Sequence, residues 1–370
     1  MEPVTHLKPS QLYADRPYIA IWEVTRACDL ACVHCRAEAE NKPYPGELDT
    51  EQALDLIRQV AEWKVPLFVM TGGDPLKRPD LSKLVAECAR HNMNFALAPS
   101  ITPLLTEERL VELRDAGVHR ISLSLDGADA ATFDSFRGVP GTFRRFWEAA
   151  RKIRDLGIKL QINTTMSRHN KDQVWDIARA IASLSIDLWS VFFLVPTGRA
   201  VRRQALNAPE TEEVLNQLCD ILQMGWFDIK TTEAHHFRRI ILQRQNVSPQ
   251  QLLSGGVTKP TPSLMRVARG VGDGRGFVFI SHTGDVCPSG FLPLSGGNVK
   301  DIPLADIYRN SWLFKKLRDI DSLKGKCGRC EYHDFCGGSR ARGYAMTGDV
   351  MGPDPFCVYQ PASKPVGSVA

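Results

Sequence analysis

Short apolar runs alternate with longer segments of mixed polarity along the first half of the chain. The runs cover residues 18–24, 66–71, 94–99, 120–125, 159–165 and 188–195. Near-continuous apolar character is typical of strands in a parallel sheet covered by helices. The segments between the runs carry helix signals, since Thr106 can cap a helix that ends before Gly117. Six strand–helix units predict an α/β fold with a partial (β/α)6 TIM-like barrel, not a closed eight-stranded one.

Length and charge set the domain organisation. The chain has 370 residues, 43% of them hydrophobic, and a formal net charge of +4. This length exceeds one ordinary core, so a large domain and a smaller one are expected. The predicted segments are an N-terminal arm at 1–17, the partial barrel at 18–200, a bridging region at 201–275 with an amphipathic helix around 210–222, and a C-terminal domain at 276–370.

Composition also excludes several classes of protein. No apolar run approaches the roughly 20 residues needed to cross a bilayer, so no membrane association is expected. The chain has no dense run of Lys and Arg, so nucleic acid is not expected as a partner. Ten cysteines are too sparse for a disulfide-stapled secreted scaffold, and the N-terminus has no charged, apolar leader. We therefore expect a cytoplasmic protein with reduced thiols.

Three cysteines lie close together near the N-terminus, namely Cys28, Cys32 and Cys35. Three thiolates at this spacing can ligate three irons of a [4Fe–4S] cube and leave the fourth iron open for a substrate or cofactor. A zinc site is the alternative, but tetrahedral zinc usually takes two close pairs of ligands. The spacing therefore favours a cluster that performs chemistry at an open iron.

Glycines and polar residues follow or line the predicted strands. The second strand ends in Gly72, Gly73 and Asp74, where the glycines let the backbone approach a ligand and the carboxylate can meet an ammonium group. The fourth strand places Ser122 and Ser124 on one face, because side chains alternate along a strand. Hydroxyl groups inside a barrel are often bonded internally, so a structural role for each serine stays open.

A second group of cysteines lies near the C-terminus and consists of Cys327, Cys330, Cys336 and Cys357. Four thiolates can close a cube, or they can hold one structural zinc ion. Taken alone, the spacing does not decide between these two metals. The N-terminal cysteines in the same chain favour iron–sulfur, because soft thiolate ligands suit both sites.

The N-terminal cysteine spacing, followed downstream by Gly72-Gly73-Asp74, resembles the radical S-adenosylmethionine (SAM) superfamily. The resemblance implies that Cys28, Cys32 and Cys35 ligate the catalytic [4Fe–4S] cluster. It also implies that SAM is cleaved to a 5′-deoxyadenosyl radical that abstracts hydrogen from the substrate. The implied SAM contacts are Gly72, Gly73 and Asp74 (Glu in the superfamily) for the amino group, Ser122, Ser124 and Arg137 for the carboxylate or ribose, Asn163 on the fifth strand, and His34 and Leu194 beside the adenine.

The C-terminal cysteines resemble those of the SPASM extension of radical SAM enzymes, which ligate auxiliary clusters. A second auxiliary cluster would need further cysteines, but Arg340 and Ser289 stand at two of those positions. The resemblance therefore implies one auxiliary [4Fe–4S] cluster in a smaller, SPASM-like C-terminal domain. Cys287 is left over, either as a buried thiol or as a neighbour of the substrate.

Segments 71–80 and 336–345 resemble the haem-modifying branch of the superfamily. This branch implies a tetrapyrrole substrate, which is flat and carries carboxylates, so apolar walls and arginines at the edge are expected. Solvated surface positions are the alternative for each arginine, and solvation is favoured over contact with a haem iron for His235 and His236. The candidate arginines are Arg199, Arg202, Arg203, Arg238 and Arg239.

Radical SAM chemistry implies an electron donor such as flavodoxin or ferredoxin. Two other functions share these motifs: a radical SAM maturase that modifies a ribosomal peptide, and a non-enzymatic zinc or iron–sulfur scaffold. Only seventeen residues precede the first predicted strand, so no fused leader-peptide recognition domain is expected, which lowers the first alternative. The scaffold predicts no SAM binding and, with zinc, a colourless protein.

Overall fold

One mainly parallel sheet carries most of the strands. The structure, a computed structural model, describes residues 9–42 and 44–362. Within these residues the strands run in the spatial order β10-β9-β1-β2-β3-β4-β5-β6-β7, and β8 pairs with β9. The strands are β1 (Ile19–Glu23), β2 (Leu67–Thr71), β3 (Phe95–Leu97), β4 (Arg120–Ser124), β5 (Lys159–Met166), β6 (Leu188–Phe193), β7 (Asp228–Thr232), β8 (Gly272–Asp273), β9 (Gly276–Ile280) and β10 (Val286–Cys287).

Helices cover the outer face of this sheet and build the C-terminal part of the chain. They are α1 (Pro9–Leu12), α2 (Thr50–Glu62), α3 (Leu81–Arg90), α4 (Glu107–Asp115), α5 (Ala130–Arg137), α6 (Thr142–Asp155), α7 (Val174–Ala182), α8 (Ala208–Gln223), α9 (Phe237–Arg244), α10 (Pro249–Leu253), α11 (Pro262–Arg269), α12 (Leu304–Asn310), α13 (Trp312–Arg318), α14 (Gly325–Arg329) and α15 (Arg340–Thr347). Among the described residues, no helix combines the length and apolar character that crossing a membrane requires.

The partial barrel predicted from the sequence is confirmed, and it is larger than predicted. Each of the six apolar runs contains one strand, from β1 to β6. The predicted caps also form, since Thr106 accepts a hydrogen bond from the backbone of Arg109 at the start of α4. The amphipathic helix expected around 210–222 is α8. The sequence missed β7, which extends the parallel series by one strand inside the segment predicted as a bridge.

Side chains of the parallel strands alternate between the helix layer and the barrel interior. On β6, Trp189 and Val191 are buried on the helix side, and Ser190 lies on the opposite face. The register places Ser124 beside Asn163, and Asn163 beside Ser190. Polar side chains on β4, β5 and β6 therefore meet inside the barrel.

The other edge of the barrel is closed by a strand from the C-terminal part of the chain. β9 pairs in parallel with β1, with Ile19 opposite Phe277. The sequence assigned this strand to a separate C-terminal domain at 276–370, but its pairing places it in the barrel sheet. Of the predicted N-terminal arm at 1–17, residues 1–8 lie outside the described residues.

A buried carboxylate at the end of β1 joins this C-terminal strand region to the loop that follows β1. Glu23 is 3% exposed, pairs with Arg36, and accepts a hydrogen bond from His282 Nδ1 at 2.8 Å. Burial alone would raise the pKa of Glu23, but Arg36 and His282 more than reverse this and lower the pKa to about 2. The charged form of Glu23 therefore stabilises the folded state.

We predict that Glu23→Gln lowers the free energy of unfolding at pH 7 by on the order of 3 kcal/mol, since the pKa in the fold lies below the unfolded value. This stabilisation is complete above the unfolded pKa of about 4.5 and is lost as the pH falls toward 2. Anaerobic calorimetry at one scan rate should therefore show a difference in thermal midpoint between wild type and Glu23→Gln that is constant from pH 7 to pH 5 and narrows as the pH falls further toward 3. Glu62→Gln, at an exposed position on α2, is the control, and an equal loss in both variants would contradict the prediction.

Candidate functional site

The loop between β1 and α2 presents three sulfur atoms in a dry environment. Cys28 and Cys32 are buried and Cys35 is half-buried, and all ten cysteines of the chain are free thiols. Each sulfur lies within reach of one N–H donor: Leu30 N for Cys28 at 3.4 Å, Arg137 Nη1 for Cys32 at 3.7 Å, and Ala39 N for Cys35 at 3.4 Å. Such donors stabilise thiolate over thiol and so favour metal ligation.

Burial acts in the opposite direction on these thiols. It raises the pKa of Cys28 to about 11 and also raises the pKa of Cys32. At neutral pH the metal-free sulfurs of Cys28 and Cys32 are therefore protonated, and a bound metal is required to hold them as thiolates. The arrangement fits a thiophilic metal group better than a reactive free cysteine.

Glycines bring neighbouring loops into contact with the backbone of the cysteine loop. A Cβ atom at Gly73 would lie 2.4 Å from the carbonyl oxygen of Arg26, and one at Gly72 would lie 2.6 Å from that of Thr25. The backbone N–H of Gly73 donates to Thr25 O at 2.8 Å. These two glycines were expected to approach a ligand. The close contact that requires them is with the protein's own backbone.

The same arrangement recurs on the other side of the cysteine loop. Gly198, after β6, has a φ of +58°, and a Cβ there would lie 2.4 Å from the carbonyl oxygens of Cys35 and Arg36. The next residue, Arg199, donates its backbone N–H to Cys35 O at 3.0 Å and its Nε to Cys32 O at 2.9 Å. Arg199 therefore braces the cysteine loop, whereas the sequence had offered it as a substrate contact.

Asp74 is held inside the protein by hydrogen bonds. Its Oδ1 accepts from the backbone N–H groups of Leu76 and Ser100, and its Oδ2 accepts from the Thr102 hydroxyl at 2.7 Å. Burial raises the pKa of this carboxyl. Asp74 thus shapes the loop that supports the cysteines. Its predicted contact with the SAM amino group stays a prediction, and it would have to share a carboxylate that already has three partners.

Arg137 also has protein partners. Its guanidinium pairs with the Asp126 carboxylate and lies 3.7 Å from Cys32 Sγ, while its Nε is buried without a partner among the described residues. Asp126 in turn accepts a hydrogen bond from the backbone of Thr165 at 2.6 Å. The predicted contact of Arg137 with the SAM carboxylate stays a prediction, and in this structure Arg137 pairs with a carboxylate of the protein.

His34 and Leu194 occupy apolar surroundings beside the cysteine loop. The His34 ring stacks on Phe136 with centroids 3.9 Å apart. Burial lowers the pKa of His34 well below its usual range, so the ring is neutral at pH 7. Leu194 is buried in a small cluster with Ala200 and Phe356. Both positions are suited to packing, and the structure does not test their predicted contact with adenine.

Ser122, Ser124 and Asn163 come together in the barrel interior. Asn163 Oδ1 accepts a hydrogen bond from Gln161 at 2.7 Å. Beside it, the hydroxyl of Ser190 is fully buried and has no partner among the described residues. A buried polar group without a partner is costly, so it marks a place where a ligand can bind. Sequence reasoning missed Ser190, although it is the one polar residue in the apolar run Leu188–Phe193.

The four C-terminal cysteines line one cavity of about 400 Å³, called here the cysteine cavity, together with His236 and Arg239. The backbone N–H groups of Asp354 and Gly338 donate to the sulfurs of Cys327 at 3.3 Å and of Cys336 at 3.4 Å. Within the described residues, no three His, Cys, Asp or Glu side chains lie close enough to hold a single metal ion. The four cysteines therefore share one cavity but are not arranged as a mononuclear metal site.

The histidines and arginines of the predicted bridge differ from expectation. His235 and His236 were expected to be solvated, but they are 6% and 1% exposed. His235 contacts Gly338 O at 3.0 Å, and neither ring nitrogen of His236 makes a hydrogen bond among the described residues, although its Nδ1 lies 3.8 Å from the Asp354 carboxylate. Arg239 pairs with Glu212. The adjacent Arg238 donates to two backbone carbonyls, while Arg202 and Arg203 are exposed.

A second cavity, called here the seam cavity, opens between β7 and the β1–β9 side of the sheet, with a volume of about 860 Å³. Its walls are apolar at Ile19, Phe277 and Val267, with basic groups at Lys230 and Arg266. Its lining also includes the buried carboxyl groups of Glu233 and Asp273. Burial raises the pKa of both, and the nearby Asp273 adds to the rise at Glu233.

Residues expected to lack a cluster role have structural contacts. The Ser289 hydroxyl donates to Glu233 at 2.9 Å, and the Arg340 guanidinium donates to Gly352 O at 2.6 Å. Cys287 is buried on β10, where burial raises the pKa of its thiol to about 12. It lines neither cavity.

Comparison with known proteins agrees with this geometry. The sequence model of the radical SAM superfamily matches residues 22–181. The AdoMet-dependent heme synthase of Oleidesulfovibrio alaskensis is 43% identical over 93% of this chain and 88% of its own length, and that of Nitratidesulfovibrio vulgaris is 43% identical over 92% of both chains. The crystal structure of Streptococcus suis SuiB bound to S-adenosylmethionine superposes with a TM-score of 0.71 at 16% identity, covering 93% of this chain and 78% of that one.

The structural likeness to SuiB concerns the fold, whereas the sequence relatives match along nearly their whole length at an identity that defines a family. The matched segment 22–181 contains the three N-terminal cysteines and strands β2 to β5. This chain therefore belongs to the radical SAM superfamily, as an iron–sulfur enzyme that uses S-adenosylmethionine.

Proposed function

We propose that this enzyme converts a carboxylated iron tetrapyrrole into a haem by modifying its propionate side chains. The observation that carries the proposal is the 43% identity, over nearly the whole of both chains, to proteins named AdoMet-dependent heme synthase. The seam cavity supports it, because apolar side chains with basic groups beside them suit a flat, carboxylated molecule.

Cys28, Cys32 and Cys35 are the proposed ligands of the catalytic [4Fe–4S] cluster. The group fits, since three dry sulfurs with N–H donors suit a cluster that accepts electrons. With SAM bound, this cluster supplies reductive cleavage and a 5′-deoxyadenosyl radical that takes hydrogen from the substrate. The protein positions the three thiolates, excludes water from them and orients the substrate. A one-electron donor such as flavodoxin or ferredoxin is the expected partner.

The SAM contacts proposed from the barrel interior are Ser122, Ser124 and Asn163, joined by Ser190. The unpartnered hydroxyl of Ser190 supports a polar ligand at this level of the barrel. Because Asp74 and Arg137 already have protein partners, we propose that they act mainly by holding the cysteine loop in place. Gly72, Gly73, His34 and Leu194 would then shape the walls around the cofactor.

The four C-terminal cysteines are proposed to ligate one auxiliary [4Fe–4S] cluster. Mononuclear zinc requires all four sulfurs about 2.3 Å from a single point, whereas within the described residues no three His, Cys, Asp or Glu side chains are grouped to hold a single ion. Two N–H donors to sulfur also suit a cluster. Because Ser289 and Arg340 already serve the protein's own hydrogen bonds, a single auxiliary cluster is proposed.

We predict that Cys28→Ala abolishes SAM cleavage and lowers the iron content by about four atoms per chain, because the N-terminal cube loses one of three ligands. The measurement is 5′-deoxyadenosine release by anaerobically reconstituted protein with dithionite and SAM. Cys88→Ala, which removes a buried thiol on α3 far from both metal sites in sequence, is the matched control. Undiminished release from Cys28→Ala would refute the ligand assignment.

For the auxiliary site, we predict about eight irons per chain in the wild type and about four in Cys336→Ala, with little zinc in either. The variant should still cleave SAM, since the N-terminal cube is intact. Metal analysis and electron paramagnetic resonance spectroscopy of the reduced proteins provide the measurement. One equivalent of zinc in the wild type that disappears in Cys336→Ala would instead establish a zinc site.

The proposed function is tested by supplying iron coproporphyrin, sirohaem-derived tetrapyrroles or no substrate to the reconstituted holoenzyme with SAM. We expect iron coproporphyrin to increase 5′-deoxyadenosine release and to be converted to a product of lower mass as propionate groups are modified. Release that no tetrapyrrole changes would leave the radical SAM chemistry in place and favour a peptide substrate.

A further inference from the structure

Around Lys230, the seam cavity carries more positive charge than the carboxylates of the protein neutralise. Lys230 points into the barrel side of β7 and lines the cavity, and it makes no hydrogen bond or ion pair with any described residue. Arg120, at the start of β4, does not line the cavity, but its charge acts on Lys230, and its Nε is also buried without a partner among the residues described. Arg266, on α11, pairs with Asp228 but keeps a buried Nε without a partner in the same part of the chain.

The charged groups around Lys230 come from every element packed against it. Asp228 on its own strand is the carboxylate nearest along the chain, and Arg266 already engages it. Arg269 donates to the Tyr18 hydroxyl at 2.5 Å. The other two carboxyl groups of the cavity lining already have partners. Glu233 accepts from the hydroxyls of Ser289 and Ser339. Asp273 accepts from the backbone N–H groups of Arg340 and Ala341.

Three cations with one shared counter-ion are unfavourable in a partly buried space. Burial lowers the pKa of Lys230 to about 8, and the guanidinium groups of Arg266 and Arg120 add to this effect. An anion bound beside these cations would offset both their mutual repulsion and the cost of burying the Lys230 charge. A planar carboxylate suits this group best, because it can accept from an ammonium and from a guanidinium fork at once.

We infer that Lys230, supported by Arg266, binds one carboxylate of the substrate and so fixes its orientation in the seam cavity. This inference rests on the proposed function, which supplies a substrate with several carboxylates. The apolar side chains of Ile19, Phe277 and Val267 line the same cavity and would contact the flat ring. Lys230 and Arg266 on the cavity wall would select a ligand that carries carboxylates, because Glu233 and Asp273 are already hydrogen-bonded to the protein.

The test uses anaerobic holoenzyme without SAM, titrated with iron coproporphyrin and followed by the Soret absorbance. Lys230→Met should weaken binding by about ten- to hundredfold, the range for loss of a charged hydrogen bond, and Lys230→Arg should restore most of it. Lys315→Met removes an exposed lysine from α13 and is the control for net charge. The methyl ester of the same tetrapyrrole, which has no carboxylate charge, should bind wild type and Lys230→Met equally.

A stability measurement separates a binding role from a structural one. Lys230→Met removes an unpaired cation, so the free variant should have a thermal midpoint at least equal to that of the wild type. A lower midpoint together with equal weakening toward acid and ester would mean that Lys230 only supports the fold, and would overturn the inference. Equal affinity of wild type and Lys230→Met for the acid would overturn it while leaving the substrate in place. No uptake of iron coproporphyrin by the wild type would refute the proposed substrate and, with it, this carboxylate site.

Discussion

The structure depends on how a loop without regular secondary structure is held against the mouth of the barrel. The cysteine loop takes its conformation from backbone contacts with the loops after β2, α5 and β6, and glycines at Gly73, Gly138 and Gly198 make each approach possible. In each case a side chain would overlap a carbonyl oxygen of the cysteine loop. The barrel strands therefore set the positions of the three sulfurs, although none of the cysteines lies on a strand.

Much of the fold was predictable from the sequence because apolar periodicity reports burial directly. The strands β1 to β6 are covered by helices and read as apolar runs. The strand β7 was not predicted, because Asp228, Lys230 and Thr232 place polar groups on its interior face and interrupt the apolar pattern. The strand β9 is apolar, but its place beside β1 is a long-range pairing that local patterns do not encode.

The grouping of the cysteines was predictable from the sequence, whereas the contacts of the polar residues were less so. Cysteine spacing carries a specific signal, whereas a polar residue on a strand can serve a ligand or the fold equally well. Asp74 and Arg137 illustrate this, because the Thr102 hydroxyl and the Asp126 carboxylate hold them through contacts that depend on the fold. His235 and His236 were misplaced for the same reason, since α15 and the C-terminal loops that bury them follow about a hundred residues later.

A chain of hydrogen-bonded polar residues lies between the seam cavity and the cysteine cavity. Ser339 donates its hydroxyl to Glu233, which faces the seam cavity, and its backbone N–H to Asp354, which faces the cysteine cavity. Asp354 in turn donates its backbone N–H to the Cys327 sulfur. This short chain of buried hydrogen bonds fixes the distance between the two cavities, so that a change in charge in one is felt electrostatically in the other.

The pairing of β9 with β1 affects how the protein is made. During synthesis β1 leaves the ribosome early and can pair with β2 soon afterwards, but its other edge stays open until β9 has been translated. The hydrogen bond between Glu23 and His282 also forms only after His282 has been synthesised. The barrel mouth is therefore completed late in translation. Nascent chains therefore expose a strand edge beside three unligated cysteines for most of their synthesis, which makes cluster insertion a late event and premature release a route to aggregation.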